Sequence, residues 1–146
     1  MSTVNIYLNF DGNCEEAFLF YRSVIGGEFN YVGRFGEMPP QEGMPPMPQS
    51  MADKIMHISL PVSKETMLMG SDTGDQWSPN FSKGNNFSIY LAAESRSDAD
   101  RLFAGLSEGG KITMPLSDTF WGDYFGSFED KFGVNWMVSH SAEQAG

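Results

Sequence analysis

Few residues in this chain are of a type that does chemistry. His57 is the one imidazole inside an apolar run, DKIMHISLP, and His140 stands near the chain end. An imidazole moves protons near neutral pH or binds metal, but a lone histidine lacks the partners that either task needs. Asp118, Asp123, Glu129 and Asp130 lie close together in DTFWGDYFGSFED, at spacings that suit turns and a solvated rim as well as catalysis. His57 and Asp123 are thus the acid–base candidates, and no Ser-His-Asp pattern accompanies them. Cys14 falls on the apolar stripe of a helix, where a thiol is an inert core group. The remaining chemical signal is aromatic: Trp121, Tyr124, Phe125, Phe128 and Trp136 crowd one glycine-bearing stretch, Asp118 to Ser139, which has the pattern of a closing β-hairpin.

Composition narrows the partners. With 9 Lys and Arg against 19 Asp and Glu the net charge is −10, which argues against nucleic acid or an anionic membrane and tolerates a cationic ligand. A single cysteine makes no internal disulfide and fits a reducing compartment. No apolar run has the length of a membrane helix, and MSTVNIYLNF lacks a signal-peptide pattern, so the cytoplasm is the expected location.

The elements that must position these residues come twice. Val4 to Phe10 alternates as a half-buried strand, and Asn13 with Glu16 has the form of a capping box opening a helix. Its stripe is Cys14, Ala17, Phe18, Tyr21 and Ile25, and Gly26-Gly27 ends it. Strands are expected at Glu28–Phe35, Lys54–Val62 and Glu65–Gly70, around a Pro- and Met-rich loop at 36–53 that is either a disordered loop or a lid whose methionines lie over an apolar cavity or a partner subunit. After a polar linker, Ser71 to Asn85, the pattern repeats. Phe87–Ala93 carries Ile89-Tyr90-Leu91 as the echo of Ile6-Tyr7-Leu8, Ser97 with Asp100 opens a second helix, and Gly109-Gly110 closes it. Strands at Lys111–Pro115, Phe120–Glu129 and Val134–His140 complete the second half. The expectation is an α+β fold of two tandem β-α-β-β-β modules, 1–75 and 84–140, within one domain spanning 1–146 and forming a curved mixed sheet around a cleft.

The helix EEAFLFYRSVIGGE, the strand DKIMHISLP and the segment LFAGLSEGGKITMPLSDTFWGDYFGSFEDKFGVNWMV resemble PhnB-like proteins of the vicinal oxygen chelate superfamily, the glyoxalase, bleomycin-resistance and extradiol-dioxygenase fold. The resemblance covers nearly the whole chain. Some of those proteins carry the label demethylubiquinone methyltransferase, yet this chain has no Gly-rich strand-to-helix loop for a nucleotide-like cofactor. The superfamily's metalloenzymes hold a divalent ion between a His or Gln on the first strand and a Glu on the last strand of each module. Those positions fall here at Asn5 or Tyr7, Met69, Ser88 and Met137, so no metal site of the usual kind is expected. Zn, Ni or Fe would need atypical ligands.

Strand parity assigns the cleft lining to Tyr7, Asn9, His57, Ser59, Ser88 and Tyr90, with Trp121, Tyr124 and Met137 from the hairpin; Trp136 belongs to the helix-facing core. That composition suits a small organic molecule, bound without a cofactor by a protein of the bleomycin-resistance type. The alternatives are an enzyme, either metal-dependent through atypical ligands or a lyase or isomerase using His57, and a scaffold whose cleft is plugged by its own Met38, Met44 or Met47. The resemblance also implies a homodimer.

Overall fold

Alternation of apolar and polar residues near the N-terminus becomes strand β1, Ile6–Phe10, with Leu8 and Phe10 buried and Tyr7 and Asn9 exposed. The computed structural model describes residues 2–39, 43, 48–73 and 81–141. The chain forms two compact units, Met1–Ser82 and Lys83–Gly146. In the first, helix α1 (Cys14–Ile25) is followed by β2 (Tyr31–Arg34), β3 (Ile55–Pro61) and β4 (Met67–Asp72). The sheet order is β1-β4-β3-β2, with β1 and β4 parallel and the other pairs antiparallel. In the second, β5 (Ile89–Ala92), α2 (Arg96–Ser107), β6 (Lys111–Asp118), β7 (Asp123–Glu129) and β8 (Asn135–Ser141) repeat the plan in the order β5-β8-β7-β6. The fold is α+β, two four-stranded mixed sheets each carrying one helix.

Each sheet buries one face under its helix. Leu8, Phe10, Ile58, Leu60 and Leu68 meet Phe18 and Tyr21 in the first unit, and Trp136, Val138 and Phe128 meet Leu102, Phe103 and Leu106 in the second; all are buried. Each such side chain contributes about 1.5–3 kcal/mol on leaving water. A glycine sets the closeness of approach in both. A Cβ on Gly70 would stand 2.7 Å from the Phe18 ring, and one on Gly126 2.7 Å from the Phe103 ring. Trp136 is fully buried, as parity requires.

The helix starts differ from expectation. Asn13 is the N-cap of α1, but its side chain makes no capping bond. The carboxylate of Asp72 takes that role from β4, accepting from Gly12 N at 3.0 Å, Cys14 N at 2.9 Å and Ile55 N at 2.8 Å. Asp72 therefore ties β4 to the β1–α1 turn and to β3, and Ser71 and Asp72 belong to β4 rather than to a linker. Helix α2 starts before Ser97: Ser95 is the N-cap and its hydroxyl accepts from Asp98 N at 3.0 Å. An ion pair joins helix start to strand end in both units with its sign reversed, Glu15 to Arg34 at 2.6 Å and Asp118 to Arg96 at 2.7 Å.

Strand β2 is shorter than the Glu28–Phe35 expectation, because Phe35–Glu37 turns into a 3-10 helix. A second one, Gln49–Met51, lies in the proline-rich stretch, where proline density alone argues for an irregular loop. Met38 and Met51 are half-buried, while Met44 and Met47 lie outside the described residues. Strand β6 continues through Pro115 to Asp118, with two register shifts against β7. Its position at the sheet edge explains the tolerance for proline.

Candidate functional site

The face of the first sheet turned away from α1 gathers the aromatic and polar residues that parity selects. Tyr7 and Asn9 project from β1, His57 and Ser59 from β3, and in register with them come Met69 opposite both Tyr7 and Ser59, Ser71 opposite Asn9, and Tyr31 opposite Ser59. The His57 ring lies between two tyrosines: its centroid is 5.6 Å from Tyr7, nearly parallel at 26°, and 5.8 Å from Tyr31 at 43°. The Tyr7 hydroxyl and His57 Nδ1 are 3.3 Å apart, so one of them donates to the other. Tyr7 and Tyr31 stay 45% and 49% exposed, whereas Ser59 is buried beneath them. Asn9 Oδ1 accepts from the Ser71 hydroxyl at 3.4 Å. Tyr31 and Ser71 are additions to the residues that parity assigns. A β2 that starts at Tyr31 puts this ring in phase with Gly33, on the same face as Ser59.

In the second unit the corresponding face carries Tyr90 opposite Met137, the counterpart of Tyr7 opposite Met69. Ser127 is the neighbour of Met137 on β7, and its hydroxyl bonds that of Thr113 at 2.7 Å. Ser88 lies exposed just before β5. Trp121 is 54% exposed and packs on Phe125 at 6.1 Å, with Phe120 wholly exposed beside it.

Tyr124 is a correction: it does not line this face. Residues 119–122 form a turn in which the Thr119 hydroxyl donates to Asp123 O at 2.7 Å and accepts from Asp123 N at 3.2 Å, so β7 begins at Asp123. Within β7, Tyr124 has the parity of core Phe128, and it pairs with His140 on the helix side. There its hydroxyl donates to Asp100 while Arg96 covers its ring at 3.9 Å. The bond to the Asp100 carboxylate, with burial second, raises the phenol's pKa.

The carboxylates of the hairpin do not converge. Asp118 binds Arg96, which lowers its pKa through that hydrogen bond. Buried Asp130 accepts from Phe132 N at 2.8 Å, Val134 N at 3.0 Å and the Trp136 indole at 2.8 Å. These bonds hold the β7–β8 turn, and His140 is likewise structural, its Nδ1 3.0 Å from Ala93 O. Asp123 belongs to the second unit and His57 to the first. Burial raises the Cys14 thiol far above the usual range, with Asp72 adding to it. Among the described residues no buried side-chain nitrogen or oxygen lacks a partner.

The positions implied for a metal are held by groups that bind one poorly. Tyr7 and Met69 face each other across β1 and β4, whereas Ser88 precedes β5 and Met137 has Tyr90 opposite it. Asn5 Oδ1 is engaged by Met67 N at 2.8 Å. Phenols, thioethers and an amide are weak ligands for Zn²⁺, Ni²⁺ or Fe²⁺. Among the described residues no three His, Cys, Asp or Glu side chains come together as a metal site requires. The residues present do not fit the superfamily's metal.

Comparison with known proteins gives the same fold. Protein YjdN of Escherichia coli (strain K12) is 33% identical over 143 residues, 94% of this chain and 95% of YjdN. The crystal structure of PA1353 from Pseudomonas aeruginosa is 39% identical with a TM-score of 0.82, covering 97% of this chain and 98% of that one. A PhnB protein from Bacillus cereus is 26% identical with a TM-score of 0.74, covering 96% and 100%. Residues 3–138 match the family model described as Glyoxalase/Bleomycin resistance protein/Dioxygenase superfamily. The chain belongs to that superfamily, and its relatives there include YjdN and PhnB proteins.

Proposed function

We propose that this protein binds a small planar organic molecule on the open face of the first sheet, by stacking against Tyr7, His57 and Tyr31. The observation that carries the reading is the row of three rings at 5.6 and 5.8 Å, with both tyrosines exposed. Stacking and cation–π contacts are each worth about 0.5–2 kcal/mol. Met69 can adapt to an irregular ligand edge, and Asn9 and Ser71 supply orienting hydrogen bonds. The net charge of −10 favours a cationic ligand over an anionic one. Family membership agrees with a binding role, since the superfamily's description includes resistance proteins beside enzymes.

A thermal-shift screen of planar aromatic cations against saturated amines of equal charge tests this. Hits should be aromatic, and Tyr7→Ala with Tyr31→Ala should weaken them about tenfold or more. Hits that bind the double variant unchanged would refute it.

A second reading, proton transfer by His57, is favoured by the 3.3 Å approach of the Tyr7 hydroxyl to Nδ1. Under it His57→Ala abolishes turnover of a substrate while leaving folding intact; an active alanine variant would exclude it. In both readings the chain pairs as a homodimer, a second copy covering the edge strand β6 with its exposed Ile112 and Met114. A monomer in sedimentation at micromolar concentration would contradict the pairing.

A further inference from the structure

Where the α2–β6 turn meets the β7–β8 turn, the second unit has a hollow of about 420 Å³ whose lining includes Lys83, Lys111 and Lys131. Three of the chain's nine basic residues meet here, in a molecule with nineteen acidic ones. The arginines are placed elsewhere: Arg34, Arg96 and Arg101 hold carboxylates, and Arg22 covers Phe29.

Two carboxylates share the hollow with the lysines. Asp130 is buried, and both its oxygens accept from the turn amides and the Trp136 indole. Glu129 is exposed opposite Lys111 in the β6–β7 register. Three lysines and two carboxylates thus line the hollow, a net excess of one positive charge, and Lys131 Nζ also lies 5.5 Å from the centroid of the Phe132 ring. Lys83 gives one hydrogen bond, to Phe132 O at 3.0 Å, out of the three its ammonium can donate.

The glycines shape the floor. A Cβ on Gly133 would stand 3.2 Å from Lys83 Cδ and Nζ, and one on Gly109 3.3 Å from Lys131 Cδ. Their backbones have φ of +87° and +77°, so these positions favour glycine on conformational grounds as well. The lysine stems thus lie against bare backbone, which brings two ammonium-bearing side chains to one concavity.

We propose that this hollow binds a compact oxyanion, a phosphate or the phosphoryl group of a small ester, through Lys83, Lys111 and Lys131. Ammonium groups bind phosphate by charge-assisted hydrogen bonds, and a concave site focuses their field. The residues of this hollow all belong to the second unit, and none of them is shared with the aromatic face of the first.

Calorimetric titration of the full chain with inorganic phosphate and with phenyl phosphate, at ionic strength fixed by NaCl, tests it. Saturable binding of either is expected, weakened about tenfold or more in Lys83→Gln/Lys111→Gln and changed less than about twofold in Lys64→Gln. Tighter phenyl phosphate assigns the site to an ester, and equal affinity to the free ion. Amide NMR of the unaltered protein gives an independent readout, with Gly109, Gly110 and Gly133 moving on addition of phosphate. No saturable binding, binding insensitive to the double substitution, or shifts that leave those three glycines still would overturn the proposal.

Discussion

Replacing Asp72 by alanine should destabilise the first unit by about 3–5 kcal/mol, because one buried carboxylate satisfies three backbone donors, two in the β1–α1 turn and one in β3. Cys14 and Ile55 are fully buried, so water cannot replace the lost acceptor there, and each orphaned N–H costs about 1–2 kcal/mol. Gly12 is half-buried and is rehydrated more easily, adding about 1 kcal/mol. Asp72→Asn should lose about half as much. Its amide oxygen can still accept from Gly12 and Cys14, but its NH₂ would face the Ile55 N–H, donor against donor. Amide hydrogen exchange is the suitable assay, since it reads the two units separately. Protection should fall across β1, α1, β3 and β4 and remain in β7 and β8. A change under about 1 kcal/mol in Asp72→Ala would refute the reasoning.

Three further outcomes follow from the same geometry. The Glu15 carboxyl is held below the usual glutamate range by its hydrogen bond to Arg34. Its stabilising contribution is therefore present above the unfolded glutamate pKa and is lost as pH falls through the lower folded value. Arg34→Ala should flatten that part of a melting-temperature profile between about pH 6 and pH 3, and an unchanged profile would exclude the pair as its cause. Native Cys14 should resist a thiol reagent at about pH 8 and react fully in denaturant, since burial disfavours its thiolate; rapid native labelling would contradict the packing of α1. Protein purified without chelator, then incubated with Zn²⁺, Ni²⁺ or Fe²⁺ and desalted, should retain far less than one metal per chain, and EDTA should not shift its melting temperature. Near-stoichiometric retention would mean that other ligands substitute for Tyr7, Met69, Ser88 and Met137.

Much of the fold is legible in the chain because the apolar periods are clean. Leu8 and Phe10 against Tyr7 and Asn9, and Trp136 and Val138 against Met137, mark the buried face through periodicity alone. The internal repeat carries the topology, and Ile6-Tyr7-Leu8 and Ile89-Tyr90-Leu91 occupy equivalent parallel strands. Phase and capping are less legible. Tyr124 shares its parity with Phe128, the partner of core Trp136, so alternation within β7 places it on the helix side, and grouping it with Trp121, of opposite parity, in one lining does not hold. The cap of α1 comes from Asp72, distant in sequence, while Asn13 and Glu16 present the local signature without forming the bond. Tyr31 gives little signal because β2 is short and begins after a bend, and the Lys83–Lys111–Lys131 hollow joins three segments that no local pattern connects.

The most direct test of the aromatic binding face is an amide and aromatic NMR titration with the best planar cation from the thermal-shift screen. Saturable shifts centred on Tyr7, Tyr31, His57 and Met69 are expected, with their loss in Tyr7→Ala/Tyr31→Ala. Shifts centred on other residues, or saturable binding that persists in the double variant, would contradict a ligand site on this face.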